Sequence, residues 1–257
     1  ALATVLSQAL SATWVLTFLL GKQTTLKLRL KNFRLQGRVI LPCVLLGLSP
    51  FVMQSTESIL NICFNSSLLK YGGDLAVGAM TIITSVMQFA LLPLQGLGQG
   101  AQPIVSFNYG AKNVPRVKAA FRLLLKISLL YSALLWLCIM LFPNIFASIF
   151  TTNQELITFT KTALRIYMAG IGVFGIQMAC QLTFNSLGNA KASILVAVMR
   201  KFVLLIPLIY LMPHLFPKLL PMSVYMAEPV ADIIAVSFTS VLFAFQFKKS
   251  LLQISEL

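Results

Sequence analysis

Gly96-Leu-Gly-Gln-Gly-Ala-Gln-Pro103-Ile-Val-Ser-Phe-Asn-Tyr-Gly110-Ala-Lys-Asn113 closes a long apolar run, Leu75 to Leu94, and leads into a basic turn, Lys112 to Lys126. Gly96, Gly98 and Gly100, followed by Pro103, stand where a plain spanning helix carries leucine. A helix end of this kind kinks, packs closely on a neighbour, or turns backbone groups toward a cavity. Gln99 and Gln102 fall on one helical face, which puts them beside water or protein rather than lipid. Gly110 is suited to a left-handed cap, and Asn113 to capping the next helix.

Working outward, the composition agrees. Of 257 residues, 58% are hydrophobic and 10% charged, with mean hydropathy +0.88. A soluble domain carries about 25% charged residues. The expected fold class is therefore all-α, a polytopic integral membrane protein. The net charge of +14 does not point to nucleic acid, because the positives cluster between apolar runs as cytoplasmic loops do. Cys43, Cys63, Cys138 and Cys180 lie scattered in apolar runs without C-x-x-C spacing, which argues for buried reduced thiols over a metal site or a disulfide framework. Ala1 already lies inside an apolar helix with no basic n-region, so the chain reads as a fragment beginning within a span.

A span takes roughly 20 apolar residues. Seven candidates follow: 1–20, 39–69, 75–107, 120–142, 156–187, 192–212 and 222–247. Between the first two lies 21–38, carrying Lys22, Lys27, Arg29, Lys31, Arg34 and Arg38; its Leu26, Leu28 and Leu30 fit a segment at the membrane surface or a short strand. Lys70-Tyr-Gly-Gly-Asp74 and Gly188-Asn-Ala-Lys191 are the tight turns. Counting positives on alternate sides gives sixteen against four, which places the richer side and the C-terminus in the cytoplasm. That count includes Arg200 and Lys201, which interrupt the sixth run. Either they snorkel from the cytoplasmic end of a tilted helix, or Arg200 faces an inner vestibule.

Three acids lie within spans: Glu57, Glu228 and Asp232. A charge at mid-membrane costs about 2.5–3.5 kcal/mol on insertion scales, so each needs a reason. Glu228 and Asp232 are four apart and share a helix face, with Pro229 loosening the helix between them. Two carboxylates that close need a proton, a bound cation or a basic partner. An ion-coupled antiporter requires such a carboxylate; a helix-to-helix hydrogen bond or a protonated structural acid is the plainer use. Neutral polar residues form stripes. Gln54, Glu57, Asn61 and Asn65 fall within about 80°, and Gln88, Gln95, Gln99 and Gln102 within about 60°. Gln177, Gln181 and Asn185 advance by about 40° per step. A common wet surface explains all three, as does interhelical hydrogen bonding in a closed bundle. Met53, Met80, Met87, Met178, Phe89, Phe174 and Phe184 nearby suit either a cavity for amphipathic cations or plain packing. Catalysis finds no support: His214 is the sole histidine, and no phosphate loop, H-E-x-x-H or serine elbow occurs.

Gly-Gln-Gly-x-x-Pro followed by Ser-x-Asn-Tyr-Gly-Ala-Lys-Asn resembles the MATE (multidrug and toxic compound extrusion) family signature. Ser49-Pro50-Phe-Val-Met-Gln, Lys70-Tyr-Gly-Gly-Asp-Leu-Ala-Val-Gly-Ala-Met80, Gly188-Asn-Ala-Lys191 and Glu228-Pro-Val-Ala-Asp232 extend the likeness over essentially the whole chain. The resemblance implies two six-helix lobes. Residues 1–20 would be the last helix of a missing N-terminal lobe, 21–38 a cytoplasmic linker, and 39–257 the C-terminal lobe. It implies a secondary antiporter in a bacterial cytoplasmic membrane, with no cofactor beyond a coupling ion, H⁺ or Na⁺. The partners implied are a small organic cation, the bilayer and the other lobe. Some members place a cation-binding glutamate in the helix matching Glu57. Sodium-coupled members can carry an aspartate in the fifth span, where this chain has Gln177 and Gln181. The proton site reported for other members lies in the first lobe. Two rivals stay open: a lipid-linked saccharide flippase of related architecture, which would want arginines such as Arg200 in its cavity, and a non-transporting membrane scaffold.

Overall fold

A computed structural model describes residues 2–21 and 37–255, the side chains of 38, 39, 41–54, 190 and 253–255 apart. The segment 22–36, expected at the membrane surface or as a strand, lies outside the described residues. The chain divides into two units, 1–54 and 55–257.

In the first unit, α1 (Leu2–Leu20) is an apolar helix whose Thr13 and Thr17 hydroxyls donate to the carbonyls one turn back, at 2.8 and 2.7 Å. Those bonds satisfy groups that lipid could not. The next helix, Gly37–Gly110, begins in this unit and continues into the second.

That helix is 74 residues long, and Gly73 breaks it with φ 63° and ψ −161°. A side chain there is strained, so glycine is what lets the expected turn form. The break separates two arms, α2 before it and α3 after it. Leu60, Phe64 and Leu68 of α2 and Ala76, Met80 and Ile83 of α3 belong to one buried apolar cluster. Then follow α4 (Val114–Leu141), α5 (Gln154–Ser186), α6 (Lys191–Leu215) and α7 (Met222–Leu252). With the two arms taken together as Ser55–Gly110, every helix in this series is long and apolar enough to cross a bilayer. Among the described residues there is no strand. The expected all-α membrane fold is what forms.

Caps follow the local sequence. Asn113 Oδ1 accepts from the Arg116 amide at 3.2 Å and starts α4, while Asn189 Oδ1 accepts from the Ala192 amide at 3.2 Å and starts α6. Gly188 takes φ +73°, as a helix-ending glycine does. One cap differs from expectation. The left-handed residue after α3 is Lys112, at φ 57°, and Gly110 stays helical. At the other end of α4, the Arg165 guanidinium donates to the Met140 carbonyl at 2.8 and 3.1 Å, where a cation suits the helix C-terminus.

The three alternate glycines divide their work. A Cβ on Gly98 would overlap Leu182 Cδ1, so α3 touches α5 there. Gly96 and Gly100 meet nothing within 4 Å, and they line an apolar groove of about 840 Å³ between α3 and α4. The helix does not kink at Pro103; Gly73 is where its backbone leaves the helical region.

Candidate functional site

The site is built on α6, and on an irregularity in it. Met199–Leu205 is π-helical, followed by regular helix from Ile206. Pro207 supplies the cause, because its ring nitrogen has no hydrogen to give the carbonyl one turn back, and the widened turn removes that demand. The widening falls on Arg200 and Lys201 and directs these adjacent side chains to different helices.

Arg200 is 8% exposed and does not snorkel. Its Nη2 donates to Glu228 Oε1 at 2.6 Å and its Nε to Asp232 Oδ1 at 2.7 Å, both on α7. The two carboxylates sit one turn apart on one face, as their spacing requires. Their basic partner is therefore internal. Glu228 lies in the first turn of Ala227–Ser255, where the helix dipole favours an anion. Pro229 is in that same first turn, so its missing N–H disrupts nothing, contrary to the loosening expected of it. Behind the guanidinium, the Phe174 ring centroid lies 4.9 Å away. Of the two uses open to this ring, a cavity for cations or packing, it packs on a cation of the protein itself.

Lys201 Nζ pairs with Glu57 Oε1, joining α6 to α2. Both basic residues are held by acids of other helices, so two of the sixteen positives leave the count. Fourteen against four still favours the same side. Glu57 is the open member of the group, with 53% of its side chain exposed, against 6% for Glu228 and 3% for Asp232. The α5 wall closes the buried side. A 3₁₀ turn, Met168–Gly170, brings it so near that a Cβ on Gly170 would lie 3.0 Å from Asp232 Cβ and 3.1 Å from Pro229 Cα. Tyr167, one residue before that turn, is buried against Phe64 at 6.0 Å between ring centroids.

The remaining predicted site residues separate into groups. Asn61, Asn65, Gln88, Gln95 and Gln99 are exposed on the 55–257 unit, as are Gln102 and Asn185. Gln181 is half-buried; Gln177 is 2% exposed, with a buried Oε1 that has no hydrogen-bond partner among the described residues. The side chains of Gln54 and Met53 lie outside those described. Phe184 and Met80 are core, Met87 and Met178 pack on it, and Phe89 is 70% exposed. The sequence reading missed Lys201 as a site residue and the π turn that presents it. Two consecutive bases in an apolar run, with proline six residues beyond Lys201, were the available signal.

This arrangement holds charge in a membrane core, bonds it across three helices, and leaves one acid in contact with the exterior of the unit. Comparison with known proteins bears on what that serves. A sequence profile of the MatE family matches residues 50–211. The multidrug export protein MepA of Staphylococcus haemolyticus is 20% identical over 216 residues, covering 84% of this chain and 47% of the relative. MepA of Staphylococcus aureus strain MSSA476 matches at 20% over 217 residues with the same coverage. The chain thus spans about half the length of the curated relatives it matches. Among solved structures, a MOP superfamily transporter from Pyrococcus furiosus superposes with TM-score 0.83 at 20% identity, over 96% of this chain and 56% of that one. The MATE multidrug transporter DinF-BH superposes with TM-score 0.79 at 33% identity, over 98% of this chain and 55% of that one.

Proposed function

We propose a function from one premise: the chain belongs to the MATE (MatE) family, whose profile covers more than half of it. It is a multi-pass membrane chain related to multidrug transporters. It works as the C-terminal lobe, with one further helix, of a secondary antiporter that exchanges H⁺ or Na⁺ for organic cations. Its C-terminus faces the cytoplasm, and the membrane is the bacterial cytoplasmic membrane.

The observation that carries this reading is the charge cluster joining Glu57, Arg200, Lys201, Glu228 and Asp232 across α2, α6 and α7. A scaffold gains little from it, because replacing a buried ion pair with apolar residues is often neutral or stabilising. An antiporter needs it, since an ion that binds one state better than the other shifts their balance. Glu57, Glu228 and Asp232 are the ion-coupling acids. Asn61, Asn65, Gln88, Gln95, Gln99, Gln181 and Asn185 line the substrate cavity, with Gln54, Gln177 and Met53 completing the predicted set. A multidrug resistance MATE transporter of the same fold has been solved both outward-facing and inward-facing, and alternation of that kind is the motion required. The flippase reading loses its leading residue, because Arg200 is already held by two carboxylates.

The test is dye transport by the protein reconstituted in liposomes. A pH or Na⁺ gradient is expected to drive a cationic dye against its own gradient, and Glu57→Gln and Asp232→Asn to reduce that uptake. Dye movement indifferent to both gradients would remove the antiporter reading, and full ion-driven transport in both variants would remove these acids from it.

A further inference from the structure

Among the described residues, the charges of this cluster do not balance. Three carboxylates, on Glu57, Glu228 and Asp232, meet two cations, on Arg200 and Lys201. The charged groups acting on Glu228 are Arg200 and Lys201 from α6, Asp232 from its own helix and Glu57 from α2; the phenol of Tyr167 adjoins from α5. With all five ionised, the group carries one uncompensated negative charge. The structure also shows where it lies. Glu228 Oε1 is bonded to Arg200, but Glu228 Oε2 is buried and has no hydrogen-bond partner among the described residues. A buried carboxylate oxygen left in this state is costly, and protonation relieves it.

We propose that the cluster is a single-proton site, that Glu228 Oε2 is the atom protonated, and that Arg200 and Lys201 are tethered cations occupying the space a metal ion would need. The proposal rests on the antiporter reading and narrows its coupling ion to H⁺. A hard monovalent cation needs several oxygens converging at contact distance. Here the inner oxygens of Glu228 and Asp232 point at a guanidinium at 2.6 and 2.7 Å, so such an ion would first have to evict Arg200. Among the described residues no three acid, histidine or cysteine side chains converge closely enough to hold a metal. A proton needs only the one free oxygen. Neutralised by that proton, the cluster has no use for another cation. Once the proton leaves, the net negative charge is felt at Glu57, the exposed member, where an organic cation can supply the missing positive charge. Proton and substrate then exclude one another electrostatically, as antiport requires.

Proton release on substrate binding tests this with the purified protein in detergent, using tetraphenylphosphonium as the organic cation in weakly buffered medium with a pH indicator. Wild type is expected to release about one proton per cation bound, unchanged when K⁺ is replaced by Na⁺. Glu228→Gln is expected to abolish release and to bind tetraphenylphosphonium with the pH-independent, weaker affinity of acid-treated wild type. Asp232→Asn leaves two carboxylates for two tethered cations and is expected to abolish release as well; it serves as the second arm if Glu228→Gln does not fold. Wild-type release from Glu228→Gln or from Asp232→Asn, or Na⁺ displacing tetraphenylphosphonium at constant pH, would overturn the proposal. Liposome assays separate this failure from failure of the parent reading. Transport driven by Na⁺ but not by pH keeps the antiporter and removes the proton site, whereas transport driven by neither removes both.

Discussion

The 55–257 unit handles polarity within its apolar helices in two ways. Where α6 meets α7, Arg200, Glu228 and Asp232 are buried and bonded to one another within 2.7 Å. Along α2 and α3, Asn61, Asn65, Gln88, Gln95 and Gln99 are neutral and exposed. Both groups occur as polar residues in apolar runs, and sequence alone treats them alike. Desolvation separates them. A full charge that loses water must find its opposite nearby, so charged residues recruit partners from other helices. An amide with a wet or protein surface before it needs no partner of its own. The charged region therefore determines how helices join, and the amide region determines what the 55–257 unit presents to its surroundings.

The comparison breaks most readily at Arg200. Arg200→Met leaves two buried carboxylates facing each other without a cation. Removing one partner of a buried pair costs about 3–5 kcal/mol. Thermal unfolding of the detergent-solubilised protein is expected to show that loss. Adding Glu228→Gln and Asp232→Asn to Arg200→Met is expected to restore most of it while leaving ion coupling absent. If Arg200→Met alone unfolds like wild type, the buried region carries no more stability than the exposed one.

Much of this organisation was legible beforehand, for identifiable reasons. The turns at Gly73 and Gly188, the Asn113 cap and the run of spanning helices follow from periodicity and local chemistry, which act over a few residues. The pairing of Glu228 with Asp232 followed from their spacing of four. What was illegible depended on contacts between distant residues. Arg200 lies 28 and 32 positions from its partners, and Lys201 lies 144 from Glu57. The left-handed residue fell on Lys112 and not on Gly110, because the 110–113 turn is closed by Asn113 N–H bonding to the Asn108 carbonyl at 2.9 Å, which sets its geometry. The alternate glycines could not be assigned before α5 and its Leu182 were seen against Gly98.

A second prediction sharpens the contrast between tight and open surfaces using glycine alone. A Cβ on Gly175 would overlap the Ser128 carbonyl oxygen, which belongs to backbone and cannot swing aside. Gly175→Ala is expected to part α4 from α5 and cost about 1–3 kcal/mol, as overpacked cores do. Gly100→Ala opens onto the groove and is expected to stabilise slightly, by up to about 1 kcal/mol, through helix propensity. Equal melting temperatures for the two variants would show that the α4–α5 contact is looser than its geometry implies.

A third change is smaller and concerns a single bond. Tyr225, buried at the start of α7, donates its hydroxyl to the Ala76 carbonyl of α3 at 2.7 Å. Tyr225→Phe keeps the ring and deletes that bond, and is expected to cost about 0.5–1.5 kcal/mol. Its thermal shift should fall between those of the charged cluster and the exposed amides, because a neutral bond is lost and no charge is stranded.

The smallest effect on stability is expected where the effect on ligand is most telling. Gln95→Ala and Asn61→Ala remove exposed amides, and surface changes of this kind usually stay within about 0.5 kcal/mol. If these residues were interhelical glue, their loss would register in thermal unfolding as Tyr225→Phe does. If they line a substrate surface, melting stays put while binding of a cationic dye weakens, measured by fluorescence titration of the detergent-solubilised protein. The two measurements are read together, because a side-chain amide has two donors and an acceptor oxygen and one interhelical bond does not by itself exclude a ligand. Their exposure on the 55–257 unit favours the second outcome. A clear drop in melting temperature with dye binding intact would move these amides into the same class as Arg200.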